Sequence, residues 1–154
     1  VYDASVCVAG PNGERTLALA DFFVGPGRTA LGPGEIVTRL GLPPPVRAAA
    51  FARMTRRRGV DLATVSVCCG VGPGGEVRLA LGAAGPTPLV VEDTTGVLAD
   101  PDAGEAEVTA RIAELVSAAS PITDVRAGAD YRRAMLEVLA ARTRQAALSR
   151  REAR

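Results

Sequence analysis

The stretch ATVSVCCGVGPGGEVRLALGA, residues 63–83, decides the fold, because it holds two alternating apolar segments joined by a glycine-rich turn. The side chains that share one face of these segments are Val65, Val67, Cys69, Val71, Val77, Leu79 and Leu81. Apolar residues at every second position are typical of strands with one buried face. The stretch therefore predicts a β-hairpin closed by the GPGG turn.

Downstream, beyond GPTP at residues 85–88, the apolar period changes from two residues to that of a helix. Asp100 and Pro101 are a typical N-cap and first helical residue, and they predict the start of a helix that ends near residue 120. Its apolar stripe is Val108, Ile112, Leu115 and Ala119. A second long helix is predicted from about residue 129. The residues predicted on its buried side are Tyr131, Met135, Val138 and Leu139.

Upstream, residues 4–19 carry the pattern of a hairpin turning at Asn12-Gly13, and EIVTRLGLP at residues 35–43 predicts a further strand ended by prolines. RAAAFARMT at residues 47–55 is ambiguous, because its alanines favour a helix although the segment is short. Strands first and helices afterwards predict an α+β fold, with helices on one face of an antiparallel sheet.

The composition excludes several classes of function. The chain has 154 residues and no histidine, which excludes histidine metal sites and serine–histidine triads. A formal net charge of +1 gives no global field for nucleic acid or anionic lipid. The three cysteines show no CxxC spacing, and we interpret the adjacent Cys68 and Cys69 as small apolar residues. With no signal-peptide pattern either, we expect a cytoplasmic protein.

Two motifs bear on ligand binding. Gly-Pro-Gly occurs at residues 25–27, 32–34 and 72–74, and its proline removes an amide donor that a phosphate loop needs, so we interpret these motifs as turns. The triplet Arg56, Arg57 and Arg58 lies before Gly59, between two predicted strands. It is either a solvated turn or a turn whose guanidinium groups reach a carboxylate, a phosphate or another subunit.

Four segments together carry a resemblance to a known family. They are DFFVGPGRTALGPGEIV at residues 21–37, RRRGVDLATVSV at 56–67, VRLALGAAGPTP at 77–88 and DYRRAMLEVL at 130–139. In this order and spacing they resemble the FAD-binding (medium) subunit of the molybdenum hydroxylases, the xanthine dehydrogenase and carbon monoxide dehydrogenase group. The resemblance covers nearly the whole chain and corresponds to the second half of the family's sequence.

The resemblance implies a division of the chain into two parts. Residues 1–34 would be the C-terminal remnant of the FAD-binding domain. Residues 35–154 would be the C-terminal α+β domain of the flavoprotein, a three-stranded antiparallel sheet packed against helices. The resemblance also implies that FARMT at residues 51–55 belongs to a strand, against its local propensity.

The resemblance further implies FAD as the cofactor and three residues near it. Val37 stands where the family contacts FAD with leucine, and Arg53 stands where it has a lysine, a change that alters reach and geometry. Asp61 ends the family's flexible loop near the flavin. On an unbroken strand, Arg53 and Arg56 would point to opposite faces. Because the family's pyrophosphate-binding loops lie in its first half, we expect this chain alone to bind FAD weakly or not at all and to be inactive.

The implied function is that of an oxidoreductase subunit that relays electrons from iron–sulfur clusters through FAD to NAD or another acceptor. The implied partners are a molybdopterin-binding large subunit and a [2Fe-2S] small subunit, without nucleic acid or a membrane. The alternative is a non-catalytic interaction module that assembles such a complex without binding flavin. Nucleic-acid binding through the arginine triplet comes third.

Overall fold

The chain forms two compact units in the computed structural model, which describes residues 1–44 and 47–153. Residues 2–44 make up the first unit, and residues 47–153, together with Val1, make up the second. Each unit has its own hydrophobic core. In the described ranges, no helix is long and apolar enough to cross a lipid bilayer.

The first unit contains the strands β1 (Ser5–Gly10) and β2 (Gly13–Ala18), the helix α1 (Leu19–Phe22), and the short strands β3 (Phe23–Gly25) and β4 (Arg28–Thr29). It ends with β5 (Ile36–Gly41), and the order of its three-stranded sheet is β2-β1-β5. The predicted hairpin of β1 and β2 forms, with Gly13 at a φ of +104° in its turn. Val6 and Val8 are buried with Phe22, because alternation turns both valines to the same face of β1.

The division between the units differs from the one expected between residues 34 and 35. Strand β5 pairs antiparallel with β1, so that Ile36 lies opposite Ala9 and Gly41 lies opposite Ser5. Because β5 completes the first sheet through its backbone hydrogen bonds, residues 35–44 belong with the residues that precede them. Among the described residues, the first compact unit therefore extends through β5 to residue 44.

The second unit is built on a four-stranded antiparallel sheet. Its strands are β6 (Ala48–Met54), β7 (Val65–Val71), β8 (Val77–Gly82) and β9 (Leu89–Asp93), hydrogen-bonded in that order. The hairpin predicted from residues 63–83 is confirmed as β7 and β8, and the ambiguous segment forms β6. The expected number of three strands is wrong, because β9 adds a short edge strand in a region assigned to the helical pattern.

Two helices, α2 (Glu105–Val116) and α3 (Ala129–Glu152), pack against this sheet, which confirms the α+β class. The N-cap of α2 is Gly104 and not Asp100, whose Oδ1 instead accepts the N–H of Asp102 at 2.9 Å in a preceding turn. The expected start of α3 is confirmed, but Tyr131 is half exposed and Arg132 lies on the buried side in its place.

The main core lies between the inner face of the sheet and the two helices. Because the inner residues of β7 and β8 alternate with polar or small ones, they form one apolar layer. The most fully buried members of this core are Val65, Val67, Cys69, Val71, Val77, Leu79, Leu81, Leu98, Val116, Leu136, Ala140 and Ala147.

Candidate cofactor-contacting site

The outer face of the four-stranded sheet, opposite the helices, carries the candidate site. Phe51 of β6 is 64% exposed and Val90 of β9 is 50% exposed on this face. Cross-strand pairing puts Phe51, Cys68, Ala80 and Val90 in one row. The next row contains Arg53, Ser66 and Gly82. An apolar row therefore runs beside a row that holds one charged side chain.

Apart from Arg53, the residues in this row have a small side chain or none. A Cβ atom at Gly82 would come within 2.3 Å of the Oγ atom of Ser66, so the absence of a side chain at Gly82 makes room for the serine. Across the sheet, Arg53 is therefore followed by the short side chain of Ser66 and then by Gly82, which has no side chain. The result is a shallow step bordered by the ring of Phe51 on the neighbouring row.

Arg53 is exposed and lies opposite Ser66 in the register of β6 and β7. In the part of the chain that the structure describes, its guanidinium group makes no hydrogen bond or ion pair. A planar group with five N–H donors and a permanent charge is therefore available to a ligand on the outer face.

Asp61 has a different environment, although it lies in the loop that follows β6. Only 6% of its side chain is exposed, and Oδ2 accepts the backbone N–H of Arg56 at 3.0 Å. Burial opposes ionisation, but the N–H of Arg56 and the charges of Arg56 and Arg57 outweigh it and lower the pKa of Asp61. Its carboxylate thus holds the loop together from within.

The arginine loop, which we define as residues 55–64, joins β6 to β7. Strand β6 ends at Met54, so the alternation that would set Arg53 and Arg56 on opposite faces does not continue to Arg56. Inside the loop, the Nε of Arg57 donates to the carbonyl of Val60 at 3.2 Å, and Thr55 donates to the carbonyl of Arg57 at 2.9 Å. The arginine triplet is therefore part of an internally bonded loop.

Val37, the third residue predicted to contact the cofactor, lies on β5 in the first unit. It is 41% exposed and pairs with Val8 where the register between β1 and β5 shifts. Its side chain is therefore accessible within that unit, while Arg53 and Asp61 both belong to the second unit.

A buried arginine at the base of the arginine loop was not predicted from the sequence. Arg132 on α3 donates to the carbonyl of Thr64, the last loop residue, and to Oδ1 of Asp124 at 2.6 Å. Its side chain is only 2% exposed, and its Nε has no hydrogen-bond partner among the described residues. The available signal was position, because Arg132 precedes the buried Leu136 by four residues on the same helical stripe.

A second buried ion pair joins the sheet to α2. Asp93 at the end of β9 accepts hydrogen bonds from the N–H and hydroxyl of Thr95, the N–H of Leu98 and the Nε of Arg111. Burial opposes ionisation, yet these donors together lower the pKa of Asp93 to about 2. This pair therefore ties β9 to the helical layer.

Other sequence-based interpretations concern the cysteines and the glycine motifs. Cys69 is fully buried, and burial raises the pKa of its thiol to about 12, as befits an apolar core residue. Cys7 is half-buried, and hydrogen bonds from Thr16 and Arg39 lower the pKa of its thiol. The Gly-Pro-Gly motifs form turns. No group of three potential metal-ligating residues occurs in residues 1–44 and 47–153.

Comparison with known families divides the chain much as the structure does. The family described as FAD binding domain in molybdopterin dehydrogenase matches residues 1–45. The family described as CO dehydrogenase flavoprotein C-terminal domain matches residues 49–147. The second match covers more than half of the chain and includes β6 apart from its first residue, β7 to β9, α2 and most of α3.

Individual relatives agree with these matches. The aldehyde oxidoreductase FAD-binding subunit PaoB of Escherichia coli is 38% identical over 99 residues, which cover 60% of this chain and 31% of the relative. The carbon monoxide dehydrogenase medium chain of Afipia carboxidovorans is 28% identical over 93% of this chain and 51% of its own length. The chain thus spans about half, or less, of the length of these relatives.

Solved structures share the fold. A carbon monoxide dehydrogenase from Hydrogenophaga pseudoflava matches with a TM-score of 0.80 and 27% identity, over 97% of this chain and 54% of that one. Quinoline 2-oxidoreductase from Pseudomonas putida 86 matches with a TM-score of 0.78 and 25% identity, over 96% and 54%. The family matches, together with the shared fold, show that the chain belongs to the CO dehydrogenase and xanthine dehydrogenase family of FAD-binding medium subunits.

Proposed function

We propose that this chain is the C-terminal part of the FAD-binding subunit of a molybdenum hydroxylase. In this role it would take part in passing electrons from iron–sulfur clusters through FAD to NAD or another acceptor. The observation that carries the proposal is the order of the two family matches, with the FAD-binding domain ending at residue 45 and the flavoprotein domain starting at 49.

The described residues fit one part of the cofactor, the flat ring system. Arg53 supplies a cation that has no hydrogen-bond or ion-pair partner among the described residues, and the step formed by Ser66 and Gly82 leaves room beside it. In the described ranges, the Gly-Pro-Gly turns offer no cradle for the pyrophosphate, since each proline lacks the N–H that a phosphate would need. When bound, FAD supplies the redox chemistry.

The residues of this chain would position and tune such a cofactor. The guanidinium of Arg53 would stabilise negative charge at its reduced ring and so favour reduction. Phe51 and Val90, both exposed on the outer face, would shield the rings from water. Val37 and Asp61 remain predicted contacts, and the hydrogen bond from Arg56 to Asp61 supports a role of Asp61 in shaping the arginine loop.

The same proposal assigns the domains and the partners. Residues 2–44 would be the end of the FAD-binding domain, and the second unit would be the C-terminal domain of the flavoprotein. Its partners would be the molybdopterin-binding large subunit and the [2Fe-2S] small subunit, in a cytoplasmic complex. The names of the relatives as medium chains support an assembly of several subunits.

The alternative, an interaction module without flavin, is favoured by one surface of the first unit. Strand β5 is an edge strand that leaves Ile36 and Leu40 exposed by 64% and 61%. Exposed apolar residues on an edge strand are typical of surfaces that pair with another segment. In this alternative, the chain would dock onto its partner subunits and carry no cofactor.

Flavin retention by two forms of the protein separates the two candidates. We expect the purified chain alone to carry little flavin, and the chain joined to the N-terminal half of its native reading frame to carry about one FAD, measured by absorbance. Flavin retained by the chain alone would contradict the expectation that the main FAD-binding residues lie in the N-terminal half. Capture of both partner subunits by a chain that carries no flavin in either form would support the interaction module.

A further inference from the structure

A cavity of about 410 Å³ lies between the arginine loop and the start of α3 in the second unit. It is lined by Met54, Thr55, Arg56, Thr64, Arg126, Ala127 and Tyr131. None of these residues is among those predicted to contact FAD. A volume of this size lies in the range of pockets that hold small organic ligands.

Two guanidinium groups lining the cavity have unused donors. The Nη2 of Arg56 is 3.9 Å from Oδ1 of Asp61, too far for a hydrogen bond, and half of its side chain is exposed. The Nη1 of Arg126 donates to Oδ2 of Asp124 at 3.1 Å, and its side chain makes no other hydrogen bond among the described residues. Because each guanidinium has five N–H groups, both arginines that line the cavity keep donors for a ligand.

The charges around the cavity do not cancel. Arg56, Arg126 and the buried Arg132 share two carboxylates, those of Asp61 and Asp124. Asp130 in the first turn of α3 is offset by Arg133, whose Nη1 lies 3.9 Å from its Oδ1, so one positive charge is left over where α3 begins, and the helix dipole adds to it. The excess favours an anionic ligand, most of all one that two arginines can bind together.

Part of the remaining wall of the cavity is apolar. The hydroxyl of Tyr131 donates to the sulfur of Met54 at 3.1 Å, which holds the aromatic ring and the thioether side by side. A ligand with a flat or apolar body would pack on this wall while its anionic group meets the arginines.

We propose that this cavity binds the phosphate group of a small organic phosphate, with Arg56 and Arg126 as its ligands. A phosphate has enough oxygens to accept bonds from two separate guanidinium groups, and its negative charge matches the unbalanced positive charge. The bound ligand would link the arginine loop to the turn at residues 124–127. The proposal goes beyond the flavin function, because the site needs no FAD.

Calorimetric titration of the chain at constant ionic strength would test this site. The probes are phenyl phosphate, inorganic phosphate, and phenol as the ligand without phosphate. We expect phenyl phosphate to bind more tightly than either of the others. Arg56→Gln should weaken its binding at least about tenfold, because it removes the charge and most of the donors on one side.

Arg58→Gln is the matched control, since Arg58 carries the same charge in the same loop and does not line the cavity. The affinity of the Arg58→Gln variant for phenyl phosphate should stay within about twofold of wild type. Circular dichroism checks that both variants fold. If inorganic phosphate binds but phenyl phosphate does not, and Arg56→Gln abolishes that binding, the site takes the free anion and the organic ligand is ruled out. Equal losses in both variants, or no binding of either phosphate at millimolar concentration, would overturn the proposal.

Discussion

The two faces of the four-stranded sheet differ in what their side chains do. The inner face is closed by α2 and α3, and its valines and leucines on β7 and β8 are fully buried. The outer face leaves Phe51 largely exposed, and Arg53 has no hydrogen-bond or ion-pair partner among residues 1–44 and 47–153. Residues that stabilise the fold and residues available to a ligand therefore alternate along the same strands. Substitutions on the two faces should have separable effects.

The largest expected effect is loss of stability on the inner side. Leu136→Ala removes a fully buried side chain of α3 and leaves a cavity beneath the sheet, which should lower the free energy of unfolding by about 3 kcal/mol. Phe51→Ala on the outer face should change it by less than about 0.5 kcal/mol. Urea denaturation measures both. Comparable losses would show that the outer face is also packed for stability.

A smaller effect concerns the carboxylate on the inner side. The pKa of Asp93 is lowered from 3.8 to about 2 in the folded chain, so it contributes stability above about pH 4 that is lost as the pH falls toward 2. The contribution should be on the order of 1–2 kcal/mol. Unfolding measured from pH 7 to 2 should show a smaller loss in Asp93→Asn than in wild type, since Glu35, Asp61 and Asp124, whose pKa values are also lowered, remain in the variant.

The control for this effect is Glu92→Gln, the neighbouring carboxylate on the outer face, whose Oε2 lies 3.5 Å from the Nε of Arg78. Because Asp93 is still present, the loss of stability in acid should persist in this variant. A wild-type pH dependence in Asp93→Asn would mean that the buried pair with Arg111 contributes no measurable stability.

The smallest expected effect is a difference in reactivity between the adjacent cysteines, which lie on opposite faces of the sheet. Cys68 is half-buried on the outer face, whereas Cys69 is buried on the inner face. Burial raises the pKa of both thiols, that of Cys69 to about 12. In a Cys7→Ser background, iodoacetamide should modify Cys68 at least about tenfold faster than Cys69 in the folded chain. Equal rates would mean that the sheet opens often enough to expose the inner thiol to the reagent as well as the outer one.

The sequence predicted the parts of the fold that local periodicity controls. The alternation at residues 65–71 and 77–81 was sufficient for β7 and β8, because every second residue is apolar. Strand β9 was missed, since it has only five residues and follows a glycine- and proline-rich turn that marked a change of pattern. Asp100 resembled an N-cap, but its carboxylate stabilises a separate turn before α2.

The site was less predictable, because its key contacts join distant parts of the chain. The resemblance to the family supplied Val37, Arg53 and Asp61, and only their exposure and partners come from the structure. The contact of Arg132 with Thr64, across 68 positions of sequence, left no local signal except an arginine on an apolar stripe. Likewise, the cavity between the arginine loop and α3 depends on tertiary packing alone.

We propose that Arg53 on the outer face, whose guanidinium makes no hydrogen bond or ion pair among the described residues, tunes a bound flavin. The most direct test is the flavin midpoint potential of the complete FAD-binding subunit, measured for wild type, Arg53→Ala and Arg58→Ala. Arg53→Ala should lower the potential, since a positive charge near the rings favours their reduced, more negative form. Arg58→Ala, which removes an equal charge from the arginine loop, should leave the potential unchanged. An unchanged potential in Arg53→Ala, or equal shifts in both variants, would contradict the account.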